Sequence, residues 1–188
     1  FSFTDGETSD KSILPDKYEE KINQKRQETN TFFKADAKSP LPKEERVEFK
    51  GLKHYHINGD YYIVAKLKKI KNGKKVSMQT SKHEEKFYLT YAKAHFTLNN
   101  EKCELTIYKS TQDENYLFLP FTDLTTGEET YGAGRYIEVE ELSNKQILID
   151  FNLAYNPYCA YSDNYNCPYP PAENDLKIKV EAGEKTYH

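Results

Sequence analysis

Arg135 is the residue whose surroundings demand the most explanation. In the run Arg135 to Glu140 it shares one side of a strand with Ile137 and Val139, because strand side chains alternate with a period of two. A guanidinium on an apolar face must meet a carboxylate or several carbonyls, since an unpaired buried charge is prohibitive. Asp123, Asp150 and Glu173 are the candidate partners. One outcome is a buried ion pair that fixes a strand end. The other is a pocket in which the planar fork of Arg135 recognises a carboxylate or another anion. That pocket, at the mouth of a barrel, would be lined by Arg135, Asp150, Asn152, Tyr155, Asn156, Glu173 and Asn174. The same pocket would serve a hydrolase-like enzyme if Asp150 or Glu173 acted as general base or Cys159 as nucleophile. No set of nucleophile, base and orienting group can be assembled from the sequence. A binding module for a small polar or anionic molecule is therefore preferred, narrowly, over an enzyme, and a structural envelope protein without a pocket is the third reading.

Other chemistry-bearing residues are sparser. Cys159 and Cys167 lie eight apart, and a local disulfide, two reduced packed thiols, or a metal-binding or catalytic thiol are all compatible with that spacing. It matches no standard zinc knuckle, and no histidine lies nearby in sequence. Cys103 alternates with Leu105 and Ile107 and reads as a core residue of its strand. His54 and His56 project from one side of an extended stretch, half of a metal site without a third ligand, so no metal and no other cofactor is expected. His95 reads as a hydrogen-bonded core residue. The lysines 66, 68, 69, 71, 74 and 75 could touch phosphate, but a solvated hairpin accounts for them.

Elements must position these residues. Residues 1–14 are polar and expected to be flexible, and residues 15–188 to form one β-rich domain. Within it, residues 15–49 read as a helical arm. Pro15 suits a first turn, Asp16, Glu19 and Glu20 favour its positive end, and Tyr18, Ile22, Phe32 and Phe33 make a narrow apolar stripe. Ser39-Pro-Leu-Pro breaks that helix. From residue 50 the period becomes two. Strands are predicted over residues 61–71, 74–79, 86–98, 102–108, 116–121, 135–140, 146–153 and 176–182, with Asn58-Gly59 and Asn72-Gly73 as hairpin turns. The fold class is mainly β: an antiparallel barrel or sandwich of roughly nine strands, with the N-terminal helical arm and a long C-terminal loop. That loop, Tyr155 to Asp175, carries Tyr155, Tyr158, Tyr161, Tyr165 and Tyr169, and could serve as a lid or only as a plug.

Two segments carry a longer pattern. One is Phe118-Leu-Pro-Phe-Thr-Asp-Leu-Thr-Thr-Gly-Glu-Glu-Thr-Tyr-Gly-Ala-Gly-Arg-Tyr. The other begins Asp150-Phe-Asn-Leu-Ala-Tyr-Asn-Pro-Tyr-Cys-Ala-Tyr, continues through Cys167-Pro-Tyr-Pro-Pro-Ala-Glu-Asn and ends at Ala182-Gly-Glu-Lys. Together with Ser39-Pro-Leu-Pro and the stretch Phe49 to Leu52, they closely resemble the domain of unknown function 1684 family over most of residues 15–186. The resemblance implies that this constellation is the family's shared feature, and little about activity, because the family is uncharacterised. The sequence departs at Tyr131-Gly-Ala-Gly-Arg, where a third glycine would be expected in place of Ala133.

Composition sets outer bounds. The 188 residues carry a net charge of −3, without the basic excess that nucleic-acid binding requires. With 16 Tyr, 10 Phe and no Trp, the rings of Tyr and Phe supply most of the large apolar surface. No apolar run approaches the ~20 residues of a membrane helix. The chain opens on Phe1 and holds a single Met, Met78, from which a removed N-terminal segment is inferred. A lost signal peptide would place the protein outside the cytoplasm, secreted, periplasmic or lipid-anchored as a lipoprotein, and a monomer is expected.

Overall fold

A computed structural model describes residues 12–188. The flexible stretch expected over residues 1–14 therefore falls almost entirely outside the described residues. Helix α1 (Tyr18–Ala35) forms the arm and buries Tyr18, Ile22 and Phe33. After the Ser39-Pro-Leu-Pro break comes the single turn α2 (Lys43–Arg46). Phe33 sits against Tyr161 and Phe49, with ring centroids 4.9 and 6.2 Å away, so the far end of α1 docks on the C-terminal third.

Eight strands follow: β1 (Tyr62–Lys69), β2 (Lys75–Gln79), β3 (Glu85–Leu98), β4 (Glu101–Ser110), β5 (Leu117–Phe121), β6 (Arg135–Ile137), β7 (Glu140–Leu142) and β8 (Gln146–Asp150). They make one antiparallel sheet in the order β6-β5-β4-β3-β1-β8-β7, with β2 beside β3. The two edge strands, β6 and β7, are consecutive in sequence and joined by only Glu138 and Val139. That link spans at most about 11 Å. The sheet therefore curls into a half-barrel whose edges approach one another at a seam.

Alternation assigns the two faces. Ala65, Leu67, Ala94, Leu105, Ile107 and Ile149 turn inward into one continuous core. Tyr62, Tyr88, Tyr108, Phe118, Leu148 and Asp150 take the outer face. The last of the predicted strands, 176–182, is not a strand. Its alternation is real, since Leu176, Ile178, Val180 and Ala182 all enter the core. Its first residues bond to the backbone of Thr122 and Leu124, and from Val180 onward side chains satisfy its backbone, as described below.

Three local expectations are corrected. Asn58-Gly59 is no hairpin: Asn58 is extended and its side chain caps a short 3-10 turn, Gly59–Tyr61. Asn72-Gly73 does not fold β1 onto β2, because both strands lie along the same side of β3. It marks the break between them, and at Gly73 an added Cβ would come within 2.2 Å of the Thr90 carbonyl oxygen. The tight turns with two positive-φ residues are Asn99-Asn100 and Asn144-Lys145. Cys103 packs against the edge of the core, and His95 is not a core residue. Cys103 is half-buried, and His95 points outward with Nδ1 3.4 Å from Glu104. Ala133 is tolerated because the turn at 131–134 needs positive φ only at Gly134, whose amide donates to the Tyr131 carbonyl at 3.0 Å.

Arg135 lies inside the curl and is 1% exposed. Its guanidinium meets Asp123 at 3.4 Å and lies 5.1 Å over the Phe121 ring. It donates to the carbonyl oxygens of Val180 (2.9 Å), Glu184 (3.3 Å) and Ala182. Asp123 accepts the Val180 N–H at 2.7 Å and the Thr125 N–H and hydroxyl at 3.2 and 2.8 Å. The pair thus takes the place of a neighbouring strand for residues 180–182, after which Gly183 and Glu184 pair with the backbone of Tyr55 and Ala154. Arg135→Ala leaves Asp123 buried without its cation and should cost about 3–5 kcal/mol in a urea melt. A loss below about 0.5 kcal/mol, ordinary for a surface substitution, would contradict this role.

Candidate functional site

The outer face is covered by two elements, and a cleft of about 1340 Å³ runs between them and the sheet. One wall is α1, with Tyr18, Ile22 and Arg26. The floor crosses the seam, with Tyr136, Glu138 and Val139 on one side and Tyr62, Leu148 and Asp150 on the other. The second wall is the loop from Tyr155 to Pro168. The pocket is therefore not at a barrel mouth, as the sequence suggested. The mouth and interior are filled by the core and by residues 176–184.

The loop is held rigidly for its length. Tyr155 and Tyr136 exchange backbone hydrogen bonds at 2.9 Å. The Tyr136 hydroxyl donates to the Pro168 carbonyl at 2.6 Å. A disulfide joins Cys159 and Cys167, and the Cys167 N–H donates to the Ser81 hydroxyl at 3.1 Å. Stacked and edge-on rings line the space: Tyr88 on Phe118 at 4.9 Å, Tyr136 on Phe118 at 4.8 Å, and Tyr158 on Tyr165 at 5.2 Å. Burial raises the hydroxyl pKa of Tyr88 to about 12 and pushes those of Tyr136 and Tyr155 further up. These tyrosines are neutral donors and acceptors at physiological pH.

Three polar groups interrupt the aromatic lining. The first is Asp150, which accepts the Tyr18 hydroxyl at 2.7 Å and the Asn152 amide N–H at 3.0 Å. Asn152 Nδ2 in turn donates to the Tyr18 oxygen at 3.0 Å and the Asn58 carbonyl at 2.8 Å. Burial raises the Asp150 pKa against these hydrogen bonds. The second is Glu184, 5% exposed, whose Oε2 accepts the Asn156 N–H at 2.9 Å and the Tyr161 hydroxyl at 2.8 Å. Burial pushes its carboxyl up to about 7, opposed by those two donors and by the charges of Arg135 and Arg26. The third is Arg26, which donates from Nη1 to the Tyr55 carbonyl at 3.1 Å. Beside it, burial and the Arg26 charge lower the His54 pKa to about 4, so that imidazole is neutral.

Of the residues named from sequence, Asp150, Asn152, Tyr155 and Asn156 line this cleft together. Arg135, Glu173 and Asn174 do not. Arg135 is committed to Asp123 and to residues 180–184. Glu173 accepts the Tyr108 hydroxyl. Asn174 braces two strands, donating to the Thr106 and Pro120 carbonyls and accepting the Thr106 N–H, each at 2.8 Å. Cys159 is in a disulfide and has no thiolate to offer as a nucleophile. Glu184, Arg26 and Tyr18 were missed as site residues. A signal for Glu184 was present, since it extends the inward series Leu176, Ile178, Val180, Ala182 by one step and so places a carboxylate on a buried side.

A family model described as a protein of unknown function (DUF1684) matches residues 47–185. Among solved structures, the solution NMR structure of an uncharacterized protein from Haloarcula marismortui is similar, with 38% sequence identity and a TM-score of 0.70. The match covers 91% of this chain and 96% of that one. No curated protein matches the sequence.

The Glu184 environment sets a pH dependence. Its folded pKa of about 7 lies above the ordinary value of 4.5, so between those pH values the native state binds more protons than the unfolded state. Stability from this group is present below about pH 4.5 and is lost as pH rises through 7, by roughly 3 kcal/mol in all. Urea melts at pH 5 and pH 8 should show that loss in the wild type and not in Glu184→Gln. Equal pH dependence in both proteins would contradict the assignment.

Proposed function

This chain belongs to the DUF1684 family, and on that premise we propose that the tyrosine-lined cleft over the seam binds a small polar ligand. One observation carries the proposal: a cleft of about 1340 Å³ is walled by aromatic rings and holds, within the same space, the Asp150–Asn152–Tyr18 set, Glu184 and Arg26. Apolar walls with a few fixed polar groups are what small-molecule sites need, the rings giving contact area and the polar groups orientation. A purely structural envelope role gives no reason to keep buried acids beside so large an opening. Acid–base catalysis in the same cleft would fall to Asp150 or Glu184, with the carboxyl of about 7 on Glu184 as the supporting observation.

The Cys159–Cys167 disulfide supports an oxidising, extracytoplasmic setting. Among the described residues no helix is long and apolar enough to cross a membrane.

A thermal-shift screen of polar metabolites tests the binding reading. A ligand at one hundred times its Kd stabilises by about 2.7 kcal/mol, which raises melting by about 5–10 °C for a chain of this size. Tyr116 lines the cleft and is 40% exposed, so Tyr116→Ala should reduce the ligand-induced shift without lowering the melting of the free protein. A screen without hits, or shifts equal in wild type and variant, would count against the cleft.

A further inference from the structure

We infer that the cleft contains a proton-coupled oxyanion site, in which the free edge of Arg26 grips a ligand carboxylate or phosphate and Glu184 takes up a proton from solvent as the anion arrives. The inference rests on the cleft being a ligand site and adds the chemical class of what it holds.

Three observations meet at one place. Arg26 uses Nη1 on the Tyr55 carbonyl, while its Nε and Nη2 are buried without a hydrogen-bond partner. These two groups lie on one side of the planar guanidinium and form the fork that a carboxylate or phosphate takes with two parallel bonds. Among the described residues no carboxylate stands within ion-pair distance of Arg26. Leaving such a fork empty is costly, which is a reason to expect an occupant.

Second, Arg26 and His54 line both the main cleft and a smaller pocket of about 390 Å³, whose lining also includes Glu19, Asn23 and His56. The Arg26 side chain therefore lies between two spaces, with the unpartnered Nε and Nη2 enclosed beside them. Third, Glu184 lines the main cleft with Oε2 fixed by Asn156 and Tyr161, and Oε1 carries no hydrogen bond to any described residue.

The groups facing Glu184 come from every element around it. Arg26 approaches from α1, Arg135 from β6, and Tyr158 and Tyr161 from the loop, while His54 pairs with it through the backbone. The two arginines are its cations, and His54 is neutral. An anion on Arg26 cancels one of those cations and adds negative charge beside the carboxylate. Both effects strengthen proton binding by Glu184. Its carboxyl already titrates near neutrality, so little further shift is needed for uptake at physiological pH. The protonated carboxyl can then donate from Oε1 to the anion, a bond that the carboxylate could not make.

Titration calorimetry of the full chain with benzoate, phenyl phosphate and neutral benzamide tests this. The aromatic ring suits the tyrosine walls, and the two anions separate a carboxylate seat from a phosphate seat. At least one anion should bind more than about tenfold tighter than benzamide. Arg26→Gln should erase that preference while leaving benzamide unaffected, and Arg26→Lys, which keeps the charge and loses the fork, should fall between. In buffers of differing ionisation enthalpy at pH 8, anion binding should take up more than about half a proton per site, and Glu184→Gln should abolish the uptake. Benzamide binding as tightly as both anions, anion affinity unchanged in Arg26→Gln, or binding without proton uptake would each overturn the oxyanion site alone. If none of the three probes binds and the metabolite screen is also empty, the cleft itself fails as a ligand site, and this inference with it.

Discussion

The structure depends on a buried charge doing the work of a β-strand. Residues 180–182 cross the inner face of the curl without a strand beside them, before Gly183 and Glu184 pair with the backbone of Tyr55 and Ala154. The backbone groups of that crossing still need partners in a water-free interior. A guanidinium can donate to several carbonyls in one plane, and a carboxylate can accept an amide N–H while neutralising it. Arg135 and Asp123 fill those two roles, with three carbonyl oxygens and the Val180 N–H as their clients. Burying two ions costs several kcal/mol each before the attraction and the hydrogen bonds are counted. The arrangement is not complete, since Arg135 Nε has no partner among the described residues. A hydrophobic pair of the same volume could fill the space but could not satisfy the segment that crosses it.

That pin reaches the outside through Glu184. The residue ends the pinned segment, and its carboxylate holds the Asn156 N–H and the Tyr161 hydroxyl at the root of the loop. Gly183 allows the close approach, with φ of +81° and the Ala154 carbonyl oxygen 2.7 Å from where a Cβ would lie. The loop wall of the cleft is therefore referenced to the interior ion pair, and the opposite wall to Tyr18 on Asp150. Between these anchors the tyrosines supply area and neutral hydrogen-bonding groups, and Arg26 supplies a charge that no carboxylate among the described residues contacts.

Much of this was legible in the residues. The period of two found seven of the eight strands to within a few residues, because nearly all have one face in a continuous core, while β2 buries Met78 in a separate aromatic cluster. The segment predicted as one strand over 135–140 became β6 and β7, since the chain leaves one edge of the sheet and joins the other there. Pairing could not be read, and Asn72-Gly73 looked like a hairpin although both its strands lie against β3. The candidate site was half legible. Alternation placed Asp150 on the outer face beside Leu148, but β8 ends there, and Asn152 reaches the same cleft from the 3-10 turn Phe151–Leu153 rather than from a continued strand. Alternation also put Arg135 on the apolar face, but could not show that Asp123 and the carbonyls of residues 180–184 take up its guanidinium and keep it out of the cleft lining. Arg26 and Tyr18 come from a helix more than 100 residues away in sequence, and no local pattern links them to Asp150 or Glu184.

The central claim is that the Arg135–Asp123 pair fixes the cleft wall through Glu184. Amide hydrogen exchange in Asp123→Asn, which keeps the shape and removes the charge, tests it most directly. The account predicts that protection falls by about a hundredfold or more at Val180, at Glu184 and at the Asn156 N–H, while β3 and β4 amides keep theirs. Loss of protection at Val180 with Asn156 unchanged would show that the interior pin and the cleft wall are independent, and would contradict it.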